Sequence, residues 1–253
     1  MHLAIISDVH ANWEALRAVL DDIASRQIPI VVCGGDIVGY GSRPAEVIDL
    51  IQSRTAICIR GNHDHAVVTG DFASFSPVAL RAGQWTRQQL RPRRDADSHQ
   101  LRRWEFLGSR PLAARIDDVE LSHGSPREPL FEYIFPPSKR LARVIARGLL
   151  DLTDARVVAL GHTHVPMMLD ENGHAFDVKA FADGGDLPEG RLVINPGSVG
   201  QPRDGDPRAA YVEVHGDLIA FRRVAYAVVK QAAEVAEIAG LGRDLAERLL
   251  VGR

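Results

Sequence analysis

Ile30-Val31-Val32-Cys33-Gly34-Gly35-Asp36 is the stretch whose reading decides the fold of this chain. Four apolar residues in succession read as a strand buried on both faces. Two glycines then permit a sharp turn, and Asp36 is left at the strand's carboxyl edge, where open α/β sheets bind ligands. The arrangement recurs along the chain. Asp8 and His10 follow the apolar residues 2–7, Asn62 and His63 follow 55–60, His123 follows 119–122, and His162 and His164 follow 156–160. Six of the ten histidines fall within these turns, which chance turn composition does not readily supply.

Working outward, residues 13–26 carry Trp13, Leu16, Val19, Leu20 and Ile23 at helical spacing, and Pro44 opens a second helix with Val47, Ile48, Leu50 and Ile51 as its apolar positions. The order strand–helix–strand–helix–strand predicts parallel pairing with crossover helices through residue 60. Residues 66–112 break the rhythm and read as a mainly helical insertion. Its position directly after the His63 turn suggests a lid over the site, and its basic cluster at 91–94 reads as a solvated surface. Beyond a hairpin near Asp117-Asp118 and a helix near 138–150, short strands are expected at 156–160, 167–170, 175–180, 191–194, 209–214 and 218–226. Their closely spaced turns favour antiparallel pairing. A helical tail at 229–253, broken near Gly240-Leu241-Gly242, completes what reads as a single domain over 1–253.

Bulk properties narrow the class. With 253 residues, 45% of them hydrophobic, the chain can bury a sizeable core. A net charge of −3 argues against a stable nucleic-acid partner or a polybasic membrane patch. Cys33 and Cys58, both in apolar runs, read as buried reduced thiols. The N-terminus lacks the features of a signal peptide and no apolar run reaches membrane-spanning length, so a cytoplasmic protein is expected.

The turn residues Asp8, His10, Asp36, Asn62, His123, His162 and His164 offer oxygen and nitrogen donors without thiolate, a set suited to Mn, Fe, Ni or Zn rather than Ca. If the backbone is extended, Asp8 with His10 and His162 with His164 point to one side as i, i+2 pairs. The donors suffice for two ions, which a bridging carboxylate holds about 3.5–4 Å apart. Gly61-Asn62-His63-Asp64 equally suits a tight turn, since Asn and Asp tolerate such backbones. Asn12, Tyr40, Arg43, His65, Arg127 and Arg203 are candidate substrate contacts.

Asp8-x-His10, Gly35-Asp36, Gly61-Asn62-His63-Asp64, Ser122-His123-Gly124 and Gly161-His162-x-His164 together resemble the five blocks of the calcineurin-like metallophosphoesterases, in order and spacing. Asn195-Pro196-Gly197-Ser198-Val199-Gly200 and Gln201-Pro202-Arg203-Asp204 resemble the small bacterial phosphodiesterase branch. The likeness covers 2–65 and 119–200. It implies an α/β (α+β) fold, a four-layer αββα sandwich of two mixed sheets. It further implies two divalent metal ions, manganese foremost, with Asp8, His10 and His164 on the first, Asn62, His123 and His162 on the second, and Asp36 between them. The implied activity is hydrolysis of a small or nucleotide-like phosphodiester by a metal-activated hydroxide. His63 then protonates the leaving oxygen or stabilises phosphoryl charge, and Asp64 either orients His63 or fixes the turn. A phosphomonoesterase, a nucleoside-polyphosphate hydrolase and a non-catalytic scaffold of the same fold are the alternatives.

Overall fold

The computed structural model describes residues 1–253. Strand β1 (His2–Ile6) places Leu3 and Ile5 in one core and Ala4 and Ile6 in another, as the two-residue period of a strand requires when both faces are covered. It lies in a sheet ordered β3 (Ile57–Cys58), β2 (Ile30–Cys33), β1, β10 (Ala209–His215), β11 (Leu218–Val224), β8 (Gly185–Asp186). The first three strands are parallel, and the pairs from β1 to β8 are antiparallel. A second mixed sheet is ordered β4 (Ala113–Ile116), β5 (Val119–Ser122), β6 (Val157–Ala159), β9 (Leu192–Asn195), β7 (Met167–Asp170).

Leu3, Ile5 and Val32 meet Leu121, Val157, Ala159 and Ile194 between the sheets. Ala4, Ile6, Val31 and Cys33 instead face α1 (Trp13–Ser25) and α2 (Pro44–Arg54), whose Leu16, Val19, Val47 and Ile51 are fully buried. On the outside of the second sheet, Val158, Leu169 and Val193 pack on Ala142, Ala146 and Leu149 of α6 (Lys139–Leu150). The result is helix, sheet, sheet, helix, as the resemblance implies.

The expectation of antiparallel pairing throughout the second half is corrected. β5, β6 and β9 pair in parallel, and only the edge strands β4 and β7 run antiparallel to their neighbours. The cause is connection length. α6 links β5 to β6, and the β7 excursion links β6 to β9, both crossovers rather than hairpins. The strand expected at 175–180 is likewise absent: one bridge joins Leu169 to Ala175, and Val178–Phe181 forms a 3₁₀ turn in which the Lys179 amide donates to the Asp177 carboxylate.

Residues 66–112 supply the end of α3 (Asn62–Thr69), then α4 (Pro77–Leu90) and α5 (Ser98–Ser109). Leu90, Phe106 and Leu107 are buried in the same core as α1 and α2, so most of this segment thickens the helical layer and only its stretch around 74–79 borders the site. The tail forms α7 (Val228–Glu237) and α8 (Arg243–Val251), whose Ala232, Val235, Leu245 and Leu249 pack on Tyr40, Ala79 and Ala82. No helix is long and apolar enough to cross a membrane.

Candidate metal centre

The carboxyl ends of β1, β2, β3, β5 and β6 converge, and the turns that leave them are unusual. Asp8, His10, Asp36, His162 and His164 all have positive φ, between 49° and 66°. Side-chain-bearing residues adopt this left-handed region at a cost of roughly 1–3 kcal/mol each, and such outliers cluster at functional sites. The expectation that the i, i+2 pairs converge because the backbone is extended is therefore corrected. Each pair turns inward because both members are left-handed.

Neighbouring segments hold these turns. The amides of Asp8 and His10 donate to the carbonyls of Gly35 and Asp36 at 3.0 and 2.9 Å. Gly35, itself at φ 95°, passes so near Gly61 that a Cβ would lie 2.6 Å from the Gly61 nitrogen. The loop at 195–200 ties the two histidine turns together. Asn195 Nδ2 donates to the Gly161 carbonyl at 2.7 Å, Ser198 Oγ to the Asp8 carbonyl at 2.7 Å, and the Gly200 amide to that same carbonyl at 2.9 Å.

Two donor groups result, each with its ligand atoms within 4.8 Å of one another: Asp8, His10, Asp36 and His164, and Asp36, His123 and His162. Asp36 belongs to both. Its Oδ1 accepts the His63 amide at 2.8 Å, while Oδ2 is buried without a hydrogen-bond partner, 3.6 Å from His10 Nε2 and 3.4 Å from His123 Nε2. Asn62 Oδ1 lies 3.1 Å from His123 Nε2, which adds an oxygen to the second group. His162 Nε2 is also buried and unpartnered.

The imidazoles are oriented from behind. His10 Nδ1 faces the Val38 carbonyl at 3.2 Å and His164 Nδ1 the Gln201 carbonyl at 2.6 Å, which makes each Nδ1 the donor. Both Nε2 atoms then present lone pairs only 3.0 Å apart. Two facing lone pairs repel unless a cation or proton lies at them. With the orphaned Asp36 and His162 atoms, this donor set fits divalent cations.

Electrostatics agree. Burial pushes the Asp36 carboxyl up, but the nearby His123 and His63 charges override it and hold the group well below the carboxylate range. Asp8 is lowered in the same way, chiefly by His164 against burial. Burial also lowers His10 and His164, and it takes His162 to about 3 with help from the His123 charge. His123 is the exception. Burial lowers it, yet Asp36 and Asp8 raise it to about 10. Its geometry explains this, since Nδ1 faces the Gly34 carbonyl at 2.9 Å and Nε2 the Asn62 oxygen, two acceptors that call for an imidazolium.

A metal ion held by His123 Nε2 would displace the proton there. Because the metal-free pKa is raised to about 10, this ion pairing stabilises the metal-free fold fully below about pH 6.5 and is lost as pH rises through 10. Metal binding at pH 7 is therefore expected to release about one proton from this residue, with affinity rising roughly tenfold per pH unit between 7 and 9. Calorimetry in two buffers of different ionisation enthalpy counts that proton, and pH-independent binding would contradict the assignment.

His63 caps this arrangement. Its ring packs on Tyr40 and Phe75 at 4.6 Å from each, and burial, then the Arg203 charge opposing Asp36, lowers its pKa to about 4. Asp64 does not orient it. The Asp64 carboxylate accepts the amides of Ile37, Val38 and Gly61 at 3.0–3.2 Å, whereas His63 Nδ1 has no hydrogen-bond partner. Burial and then the Asp36 charge push Asp64 up to about 7 against those three donors. Asp64→Ala orphans three buried amides, so a loss of about 3 kcal/mol is expected, or a melting temperature lower by roughly 6–12 °C. An unchanged melting temperature would show that the turn stands without it.

A cavity of about 970 Å³ opens on Asn62, His63 and His162. Tyr40 and Arg203 line it, with the Arg203 guanidinium 5.9 Å from the Tyr40 ring centre and its Nη2 donating to Gln201 Oε1 at 3.0 Å. The other candidate contacts lie elsewhere. Asn12 caps α1 by accepting the Ala15 amide and donates to the Gly200 carbonyl, Arg43 pairs with Glu234 on α7, Arg127 pairs with Glu132, and His65 packs edge-on to Phe131. Sequence reasoning missed Phe75, Phe131 and Tyr133, which line the cavity, and the α8 residues that line it with them. Tyr133 stacks on His162 with ring centres 3.7 Å apart. The aromatic alternation Phe131-x-Tyr133-x-Phe135 in a stretch without other strand signals was the available clue.

Residues 1–217 match the family model of the calcineurin-like phosphoesterase superfamily domain. The chain is 34% identical over 264 residues to an uncharacterized protein of Methanocaldococcus jannaschii, covering 99% of this chain and 98% of that one. The crystal structure of a metallophosphoesterase from Sphaerobacter thermophilus superposes with a TM-score of 0.82 at 38% identity, over 100% of both chains. A hypothetical protein from Pyrococcus horikoshii shares the fold, with a TM-score of 0.77 at 19% identity over 100% of this chain and 98% of that one. The paired donor groups at the sheet edges are thus carried by a chain that belongs to the calcineurin-like phosphoesterase superfamily.

Proposed function

We propose that this chain hydrolyses a small, nucleotide-like phosphodiester at a dinuclear metal centre, manganese being the metal its donors suit first. The observation that carries this is Asp36 Oδ2, a buried and unpartnered carboxylate oxygen standing between two imidazoles of different donor groups. In this reading Asp8, His10 and His164 hold one ion, Asn62, His123 and His162 the other, and Asp36 both. When bound, the ions neutralise phosphoryl oxygens and lower the pKa of water enough for attack near neutral pH.

The protein's own contribution is positioning and charge. His63 is neutral at pH 7, given its lowered pKa, and lines the cavity beside Asn62. It donates an N–H hydrogen bond to the phosphoryl or leaving-group oxygen and so stabilises the negative charge that develops there. Arg203 supplies a fixed positive charge on the same cavity. Tyr40, Phe75, Phe131 and Tyr133 give the leaving group's side an aromatic lining. A complete donor set, with His63 present, supports catalysis over a scaffold role.

The Mn-loaded protein is expected to hydrolyse bis-p-nitrophenyl phosphate with a higher kcat/KM than p-nitrophenyl phosphate. The reverse order would favour a phosphomonoesterase. Failure on both esters with Mn, Fe, Ni and Zn in turn would overturn the proposal.

A further inference from the structure

The cavity has a second set of charged residues. Besides Asn62, His63 and His162 it is lined by α8 and the residues after it: Asp244, Glu247, Arg248, Val251 and Arg253. This helix lies beyond residues 1–217, so nothing in the family match covers it. It is nonetheless firmly placed. Leu245 and Leu249 pack beside Tyr40, Arg81 pairs with Asp244 and donates to the Leu241 carbonyl, and the Gly205 amide donates to the Gly252 carbonyl at 2.9 Å.

Two guanidinium groups on this wall are unpaired. Arg81 neutralises Asp244, whereas Arg248 and Arg253 make no side-chain hydrogen bond or ion pair, and Glu247 is among the acids beside them. Unpaired arginines on a surface helix are ordinary, and Arg243 on the same helix is one. Arg248 and Arg253 differ in lining the same large cavity as His63 and His162. Tyr40, Phe75, Phe131 and Tyr133 line the same cavity and offer flat faces suited to a planar ring. At about 970 Å³ the space lies at the top of the range for small-molecule sites, more than one phosphate ester needs.

We infer that Arg248 and Arg253 bind a second anionic group of the substrate, so that the substrate class is a phosphoester carrying both a planar ring and a further phosphate or carboxylate. The inference rests on the phosphoesterase reading for the metal centre. Guanidinium groups bind such oxygens by forked, charge-assisted hydrogen bonds, and the aromatic walls hold the ring.

Calorimetry on the Mn-loaded full chain, at fixed free Mn, compares AMP with adenosine 3′,5′-bisphosphate. The bisphosphate is expected to bind at least about 10-fold more tightly. In Arg248→Gln/Arg253→Gln the preference falls to within about twofold at wild-type metal content, and Arg248→Lys/Arg253→Lys keeps most of it. Equal affinity in the wild type, no bisphosphate binding, or a preference that survives in the Gln variant would each overturn the inference. A preserved preference in a protein that hydrolyses neither nitrophenyl ester would uphold the second anion site and sink the hydrolytic reading instead.

Discussion

Asp36→Asn is expected to lower kcat/KM on bis-p-nitrophenyl phosphate by at least 1,000-fold, about 4 kcal/mol of transition-state stabilisation, and to cut bound metal at both positions. The reason is geometric. Asn keeps the oxygen that accepts the His63 amide, so the turn persists, but it replaces the unpartnered Oδ2 between His10 and His123 with an amide nitrogen. That removes the one charge shared by both donor groups. Asp8→Asn touches only one group and should lose mainly one ion. Metal counting by elemental analysis on folded protein separates the two outcomes, and an Asp36→Asn protein that retains two ions and its activity would refute the bridging role.

His63→Ala should behave oppositely: metal content stays at the wild-type level while kcat falls by about 100- to 1,000-fold, the usual weight of one hydrogen-bond donor to developing charge. The His63 backbone amide, which holds Asp36, survives the substitution, and its ring belongs to neither donor group. The pH profile adds a check. Because the free imidazole titrates near 4, activity in the wild type should not fall between pH 6 and 8 through His63 charging. Loss of metal in His63→Ala would instead mean that the ring helps build the centre.

How legible this was in the sequence varies by residue. Asp36 was readable because an apolar run ending in Gly-Gly-Asp can be little but a buried strand and its turn. The Asp8/His10 and His162/His164 pairs were found for the wrong local reason, since no periodicity reports a left-handed φ on a residue with a side chain. Adjacency to His63 left two readings of Asp64 open, orienting that ring or fixing the turn, and its oxygens, taken by amides at 37, 38 and 61, favour the second. Parallel pairing of β5, β6 and β9 was hidden by short strands and near turns, which mimic hairpins. Arg248 was beyond reach. It lies about 185 residues after His63, on a helix whose cavity face emerges only once α7 and α8 fold back on Tyr40.

In the proposed centre one carboxylate, Asp36, joins two ions, and anomalous diffraction from Mn-loaded crystals tests this most directly. Two peaks about 3.5–4 Å apart, each within bonding distance of Asp36, one beside Asp8, His10 and His164 and the other beside Asn62, His123 and His162, are the predicted result. A single peak, or two peaks that do not share Asp36, would contradict it.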